Sequence, residues 1–176
     1  MKYNIILILL ILVISGGVCI AKDRLIFDFP NEGWHKVESP DGVKSKKCYV
    51  PINQTSDNYT EMLIFTGRTI KNSGLNAMVM LERQLGKDRN NYRDIIPEYI
   101  FRNENDAMYA WCSRLRNTCS LERAFKGKEG IVFVKYINRM PHYSQNIFGQ
   151  WSNMLALVKV YEAMNKTEPR NLIDLN

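Results

Sequence analysis

The sequence predicts an α+β domain, an antiparallel sheet with an internal amphipathic helix and a C-terminal helix packed on it. Several short β-branched and aromatic runs are separated by turn residues, whereas two longer stretches repeat apolar residues at three- and four-residue spacing. Strands and helices do not alternate regularly, as they would in a parallel, doubly wound sheet. We therefore predict one domain, residues 22–165, between an N-terminal leader and a C-terminal tail.

The chain begins with the three parts of a secretory signal. Lys2 supplies a positive charge, residues 5–14 are uninterrupted apolar residues, and small residues precede and include Ala21. We expect cleavage after Ala21, so that residues 1–21 are a signal peptide. The domain that follows is then periplasmic or secreted.

Two other fates of the leader stay open. Cys19 is the residue that a lipoprotein would lipidate, although residues 16–18 lack the usual lipobox pattern. Residues 5–21 would alternatively remain as an uncleaved anchor, although the apolar centre is well short of the roughly 20 residues that span a bilayer.

The charge of the chain indicates the class of partner. Removing the leader leaves 155 residues with a net charge of +5, spread along the sequence rather than gathered in a dense basic stripe. Nucleic acid is therefore not an expected partner, since its phosphates call for clustered Lys and Arg. We expect a protein or an envelope component, and no stable membrane span after signal removal.

Cys112 and Cys119 are the natural disulfide partners among the cysteines that follow the leader. They enclose a short loop, and in an oxidising compartment a close pair is expected to bridge. Loop closure of this size contributes about 2.5 kcal/mol of stability. Cys48 is then unpaired, although the sequence also allows a longer bridge from Cys48 to either of the others.

The strand predictions follow short apolar runs between turns. Pro97 favours an edge position or a bulge for its strand, and glycines in 126–130 favour a hairpin between the last two strands. After an apolar lead-in at 25–30, the predicted strands are 34–38, 44–50, 60–66, 95–102, 108–115, 121–125 and 131–138.

Two helices are predicted from apolar spacing. The first helical pattern lies within residues 74–87, where Gly86 ends the helix. A polar loop, residues 87–94, follows. The second begins after Ser144 as N-cap, and residues 166–176 follow as a polar tail. The apolar face of the second helix consists of Ile147, Trp151, Met154, Leu155, Val158 and Tyr161.

The sequence contains no complete set of catalytic residues. His35 and His142 have no ligand-spaced partners, and no Walker-type loop, dinucleotide fingerprint or nucleophile elbow occurs, so we predict no metal, no cofactor and no catalytic residues. The alternative is a thiol-dependent enzyme using Cys48 with His35 or His142, in which Lys46 and Lys47 lower the thiol pKa. A small buried strand residue is the simpler interpretation of Cys48.

Asp57, Tyr59 and Glu61 form the candidate binding surface. They belong to a dense polar segment directly before an apolar strand. The alternative interpretation is a turn followed by an exposed strand start.

A group of basic residues surrounds the cysteine loop and the hairpin. This group indicates either a surface for an acidic partner or an ordinary solvated face. Its members are Arg114, Arg116, Arg123, Lys126 and Lys128.

Two segments resemble a family of small secreted proteins of Gram-negative bacteria. Residues 50–63, with Val-Pro-Ile-Asn-Gln-Thr followed by Tyr-Thr-Glu-Met, match one motif of that family, and residues 126–136 resemble its Gly-Lys-containing hairpin. The resemblance implies secretion and a PsbP-like α+β arrangement, but no activity and no catalytic residues. The chain departs from the pattern in its unpaired Cys48 and its polar tail.

These observations together predict a non-enzymatic binding or interaction domain, as an accessory to an envelope or secretion assembly. The export signal and the lack of a catalytic set favour this function over the thiol-dependent enzyme.

Overall fold

The computed structural model describes residues 24–27, 33–69, 75–128, 130–139, 145–160 and 172–175. Within these ranges the helices are α1 (Ala77–Asn91) and α2 (Gln145–Leu157). The strands are β1 (Arg24–Ile26), β2 (Trp34–Val37), β3 (Lys46–Pro51), β4 (Glu61–Thr69), β5 (Glu98–Arg102), β6 (Asp106–Ser113), β7 (Thr118–Lys126), β8 (Gly130–Asn138), β9 (Lys159–Val160) and β10 (Leu172–Asp174).

Seven strands form one antiparallel sheet in the order β2-β3-β4-β8-β7-β6-β5, and β1 pairs with β9 and β10 in a smaller sheet. The α+β class is confirmed. Each strand predicted between residues 34 and 138 is present with shifted bounds. As Pro97 indicates, β5 lies at the edge of the sheet and carries a bulge between Tyr99 and Phe101.

The two faces of the large sheet bury different helices because side chains alternate along each strand. On the α2 face, β4 and β8 contribute Leu63, Phe65, Val134 and Tyr136, which pack with Trp151 and Leu155 of α2. Two smaller strands cover the same face, since Leu25 and Ile173 belong to this cluster. Tyr136 stacks on Trp151 with ring centroids 4.3 Å apart.

On the opposite face, which we call the α1 face, the first helix covers one half of the sheet. Leu81 and Leu85 of α1 pack on Tyr109 and Trp111 of β6. The helix begins at the side chain of Asn76, which accepts a hydrogen bond from the backbone N–H of Val79 at 2.9 Å.

The predicted end of the first helix at Gly86 is wrong, and so is most of the predicted loop that follows it. The helix continues to Asn91, and Tyr92 closes it by donating its N–H to the carbonyl of Asp88. A helical glycine costs about 1 kcal/mol relative to alanine. The next turn carries Asp88, which is buried and bonded to the sheet, and this anchoring outweighs the local preference of Gly86.

The C-terminal segment differs from the predicted polar tail at residues 172–174. These residues form β10, and Ile173 is buried opposite Leu25 of β1. Residues 172–174 form a strand because this pairing removes the apolar side chains of Ile173 and Leu25 from water. Ser144 and Tyr161, predicted as the N-cap and the last apolar position of the second helix, lie outside the described residues.

The disulfide between Cys112 and Cys119 is confirmed, and the two residues lie directly opposite each other on β6 and β7. Such a bond fits a protein of an oxidising compartment. Cys48 is free and fully buried. Neither helix within the described ranges has the length and apolar character to cross a bilayer.

Arg123 does not belong to a solvated basic face, because β7 directs its side chain into the α2 face, where the residue is 6% exposed. Its guanidinium makes a bidentate pair with Asp106 at 2.7 and 2.8 Å. The same group donates to the carbonyls of Leu155, Ala156 and Val158 at 2.6–3.0 Å. Arg123 therefore binds the C-terminal end of α2 and the residue after it to the sheet, at the point where helix carbonyls lack the N–H partners of a following turn.

Replacing Arg123 with methionine should lower the free energy of unfolding by about 3–5 kcal/mol, because Asp106 and the α2 carbonyls lose their buried partner. Urea unfolding followed by circular dichroism measures the change. Arg114→Met is the matched control on an exposed arginine and should change the value by less than about 0.5 kcal/mol. Equal, small effects of both substitutions would contradict this role of Arg123.

Candidate functional site

A cleft of about 410 Å³ lies on the α1 face, where the first helix leaves part of the sheet uncovered. We call it the α1 cleft. One wall is α1, the other wall is formed by β3 and β4, and β8 forms the floor. It exists because α1 packs mainly over β6, β7 and β8, while Glu82 of α1 also bonds Tyr99 of β5 on the side away from the cleft.

A network of the half-buried Lys135 with the buried Asp88 and Glu122, which we call the buried network, forms the base of the α1 cleft. Lys135 of β8 lies 2.5 Å from a carboxylate oxygen of Glu122 on β7, directly opposite in register. The same ammonium lies 3.2 Å from a carboxylate oxygen of Asp88 on α1. Asp88 and Glu122 are 3% and 2% exposed, so the network connects helix and sheet inside the protein.

Neutral donors complete this network. The Tyr109 hydroxyl lies 3.0 Å from Glu122 and 3.2 Å from Asp88, and the Trp111 indole donates to Glu122 at 3.2 Å. Ser120 donates its hydroxyl to Glu122 at 3.1 Å. No buried side-chain polar atom of the described residues lacks a partner, and the arrangement is therefore fixed.

Burial dominates the protonation of the network. It raises the pKa of Glu122 from 4.5 to about 7, because the Lys135 charge only partly offsets the loss of water. Burial alone would lower the pKa of Lys135, but the carboxylates of Glu122 and Asp88 outweigh it and raise that pKa. Lys135 thus keeps its charge at neutral pH, whereas burial makes Glu122 hold a proton to a higher pH than an ordinary carboxyl.

Three cations at the edge of the α1 cleft have no acidic partner among the described residues. They are Arg68 of β4 and Arg83 and Lys87 of α1, all exposed. We call them the rim cations. On the same edge Lys46 is neutralised by Asp41. Hydrogen bonds from Lys46 and from the Ser39 hydroxyl lower the pKa of Asp41 to about 2. The rim cations thus leave an uncompensated positive charge over the cleft.

Apolar side chains line the cleft between the network and the rim cations. Phe133 and Ile137 flank Lys135 on the floor, Ile64 projects from β4 and Met80 from α1. Each is buried or half-buried. The cleft therefore combines apolar contact area with positive charge at its edge.

Asp57, Tyr59 and Glu61 do not form one surface in the structure. Asp57 is exposed in the loop before β4, whereas Tyr59 is buried with Cys48, Val50 and Met62, with the Arg139 guanidinium 3.9 Å from its ring centroid. Glu61 is half-buried and accepts a hydrogen bond from the Tyr136 hydroxyl, which belongs to the α2 face. Tyr59 precedes β4, which begins at Glu61, so the regular alternation of the strand does not include it.

The structure places Cys48 in the core of β3 with no exposed surface. Burial raises the pKa of its thiol, which disfavours the thiolate that a nucleophile requires. His35 is exposed on β2, and its Nε2 donates to the Gln54 carbonyl at 2.9 Å. His142 lies outside the described residues.

The residues of the buried network were not predicted as a site, although the sequence holds a signal for two of them. Glu122 and Lys135 are charged residues at inward positions of two predicted strands joined by a predicted hairpin. Their opposite charges become directly facing neighbours once the hairpin register is known. Asp88 gives no such signal, because the residues after Gly86 were predicted as loop.

The sequence matches no family model and no curated protein. The resemblance to small secreted proteins of Gram-negative bacteria therefore stays a prediction.

The raised pKa of Glu122 predicts a pH dependence of stability. Between pH 4.5 and 7 the folded state holds a proton on Glu122 that the unfolded state releases, so the free energy of unfolding falls as pH rises through this window. Glu122→Gln should reduce the fall between pH 5 and pH 7 by about 2 kcal/mol. Urea unfolding at both pH values measures it, and equal falls in both proteins would disprove the assignment.

A second prediction concerns Cys48. A maleimide reagent should label the folded, oxidised protein only slowly, because the thiol is buried and its pKa is raised. Labelling should reach one thiol per chain rapidly in 6 M guanidinium, counted by intact mass on a chain that begins at residue 22. Rapid stoichiometric labelling of the native protein would restore the thiol-dependent enzyme.

Proposed function

We propose that this chain is a non-enzymatic binding domain of a periplasmic or secreted protein, and that its α1 cleft binds an acidic segment of a partner protein. The observation that carries the proposal is the set of three exposed rim cations, which have no acidic partner within the described ranges and lie over a fixed buried network. A role as accessory to an envelope or secretion assembly is consistent with such binding.

Two features support the location outside the cytoplasm. The leader at residues 1–21 has the composition of a secretory signal. The disulfide between Cys112 and Cys119 requires an oxidising compartment to persist in most organisms. Both features favour a domain that works outside the cytoplasm.

Binding accounts for the α1 cleft better than catalysis does. A carboxyl group with a pKa near 7 suits a general acid or base. Glu122, however, is 2% exposed and already bonded to Lys135, Tyr109 and Trp111. It therefore cannot reach a ligand in the cleft without dismantling its own contacts, and we assign it the structural role of holding α1 on the sheet.

An acidic protein segment fits the lining better than a purely polar anion. Side chains alternate along an extended peptide, so acidic residues can reach the rim cations while apolar residues contact Phe133, Ile64 or Met80. A polyphosphate chain would satisfy the cations but leave the apolar walls uncovered. The mixed lining is the reason for choosing a peptide.

The test uses a twelve-residue peptide that alternates glutamate and leucine, with fluorescence anisotropy as the readout. The double variant Arg83→Gln/Lys87→Gln should weaken binding about tenfold, since each exposed charge pair contributes up to about 1 kcal/mol. Higher salt should weaken binding to the unaltered protein.

Lys36→Gln/Arg114→Gln is the matched control, because it removes the same charges from exposed positions outside the cleft. It should change the affinity less than twofold. Equal weakening by both double variants would mean that net charge alone attracts the peptide. That result, or no binding at all, would contradict the proposed function.

A further inference from the structure

A second cationic pocket lies beyond the C-terminal end of α1. Arg116, in the turn between β6 and β7, and Arg139, just after β8, line this pocket of about 530 Å³ together with Thr118. Both arginines are exposed, and neither has an acidic partner in the described part of the chain. We call them the distal arginines.

The pocket of the distal arginines continues the α1 cleft. Asn91 and Tyr92, the last residue of α1 and its C-cap, line both. Lys135 and Ile137 of β8 point to one face, and Arg139, just after the strand, lies on that face too, because its guanidinium contacts Tyr59, whose cluster packs against Ile137. One groove therefore runs along β8 beneath α1 and past its end.

The length of this groove follows from the register of the sheet. Arg68, at one end of the rim cations, lies opposite Ile131 on β8, and Arg139 follows Ile131 by eight positions. At about 3.3 Å per residue this separation is roughly 26 Å, the length of about eight residues of extended peptide. Arg83 and Lys87 lie between the two ends, one helical turn apart on α1.

Two contacts hold Arg139 in place. Its guanidinium lies 3.9 Å from the ring centroid of the buried Tyr59, and its backbone N–H donates to the carbonyl of Thr60 at 2.6 Å. Stacking on an aromatic ring leaves the edges of a guanidinium open for carboxylates. The candidate residue Tyr59 thus contributes by holding Arg139 rather than by contacting a ligand.

We propose that the ligand is an extended segment of about eight residues in which acidic and apolar side chains alternate, bound at once by the rim cations and the distal arginines. The inference rests on the proposed function and adds the length and charge pattern of the ligand. A short acidic peptide would occupy only one end of the groove.

The test compares an eight-residue peptide of alternating glutamate and leucine with its four-residue half, both with blocked ends. The eight-residue peptide should bind at least about tenfold more tightly than the half, because the second set of contacts is made within one molecule. Arg116→Gln/Arg139→Gln should remove most of this gain. Anisotropy measures the affinities, and circular dichroism verifies that each variant is folded.

The controls separate this inference from the proposed function. Lys36→Gln/Arg114→Gln should leave the gain from length unchanged, although Arg114 lies only two residues from Arg116. If only Arg83→Gln/Lys87→Gln weakens binding and both peptides bind equally well, the long ligand is refuted and the proposed function stands. If neither peptide binds, both fail. Tighter binding of polyphosphate or a single-stranded oligonucleotide than of the eight-residue peptide would also overturn the peptide ligand.

Discussion

Two consecutive residues of β7, Glu122 and Arg123, each bind one helix to the sheet, on opposite faces. Arg123 binds the last carbonyls of α2 and pairs with Asp106. Glu122 binds Lys135, which in turn binds Asp88 of α1. Because neighbouring side chains of a strand point in opposite directions, one dipeptide at the centre of the sheet can fix both layers above and below it.

This arrangement explains how the protein keeps a positive groove beside a buried charge network. The ammonium of Lys135 is used inside the protein, with two carboxylates around it. The rim cations and the distal arginines, by contrast, have no acidic partner in the part of the chain that the structure describes. Isolated surface charges add little to stability, so Arg83, Lys87 and Arg139 are free to serve binding while the interior charges hold the fold.

Much of the sheet was predictable, and much of the site was not. Short apolar runs and the glycine hairpin at 126–130 predict strands whose pairing depends mainly on local sequence. The first helix was predicted too short, because a local signal at Gly86 conflicts with a contact between Asp88 and a strand 47 residues away. Tyr59 and Glu61 were grouped by proximity in the chain, yet Tyr59 lies before β4 and packs with Cys48 and Met62, whereas Glu61 begins the strand and bonds the Tyr136 hydroxyl of the α2 face.

The sequence by itself determined the alternation of apolar and polar residues, and hence the strands and the two helices. It favoured the pairing of Cys112 with Cys119 but left a bridge from Cys48 open, which the structure excludes by burying Cys48 in β3 as a free thiol. The tertiary structure alone decided which charges are buried and which remain at the surface. Arg116, Arg123 and Arg139 look alike in the sequence. Among the described residues, Arg123 alone of the three meets a carboxylate and helix carbonyls. Whether a charge loses its water depends on contacts between residues far apart in the chain.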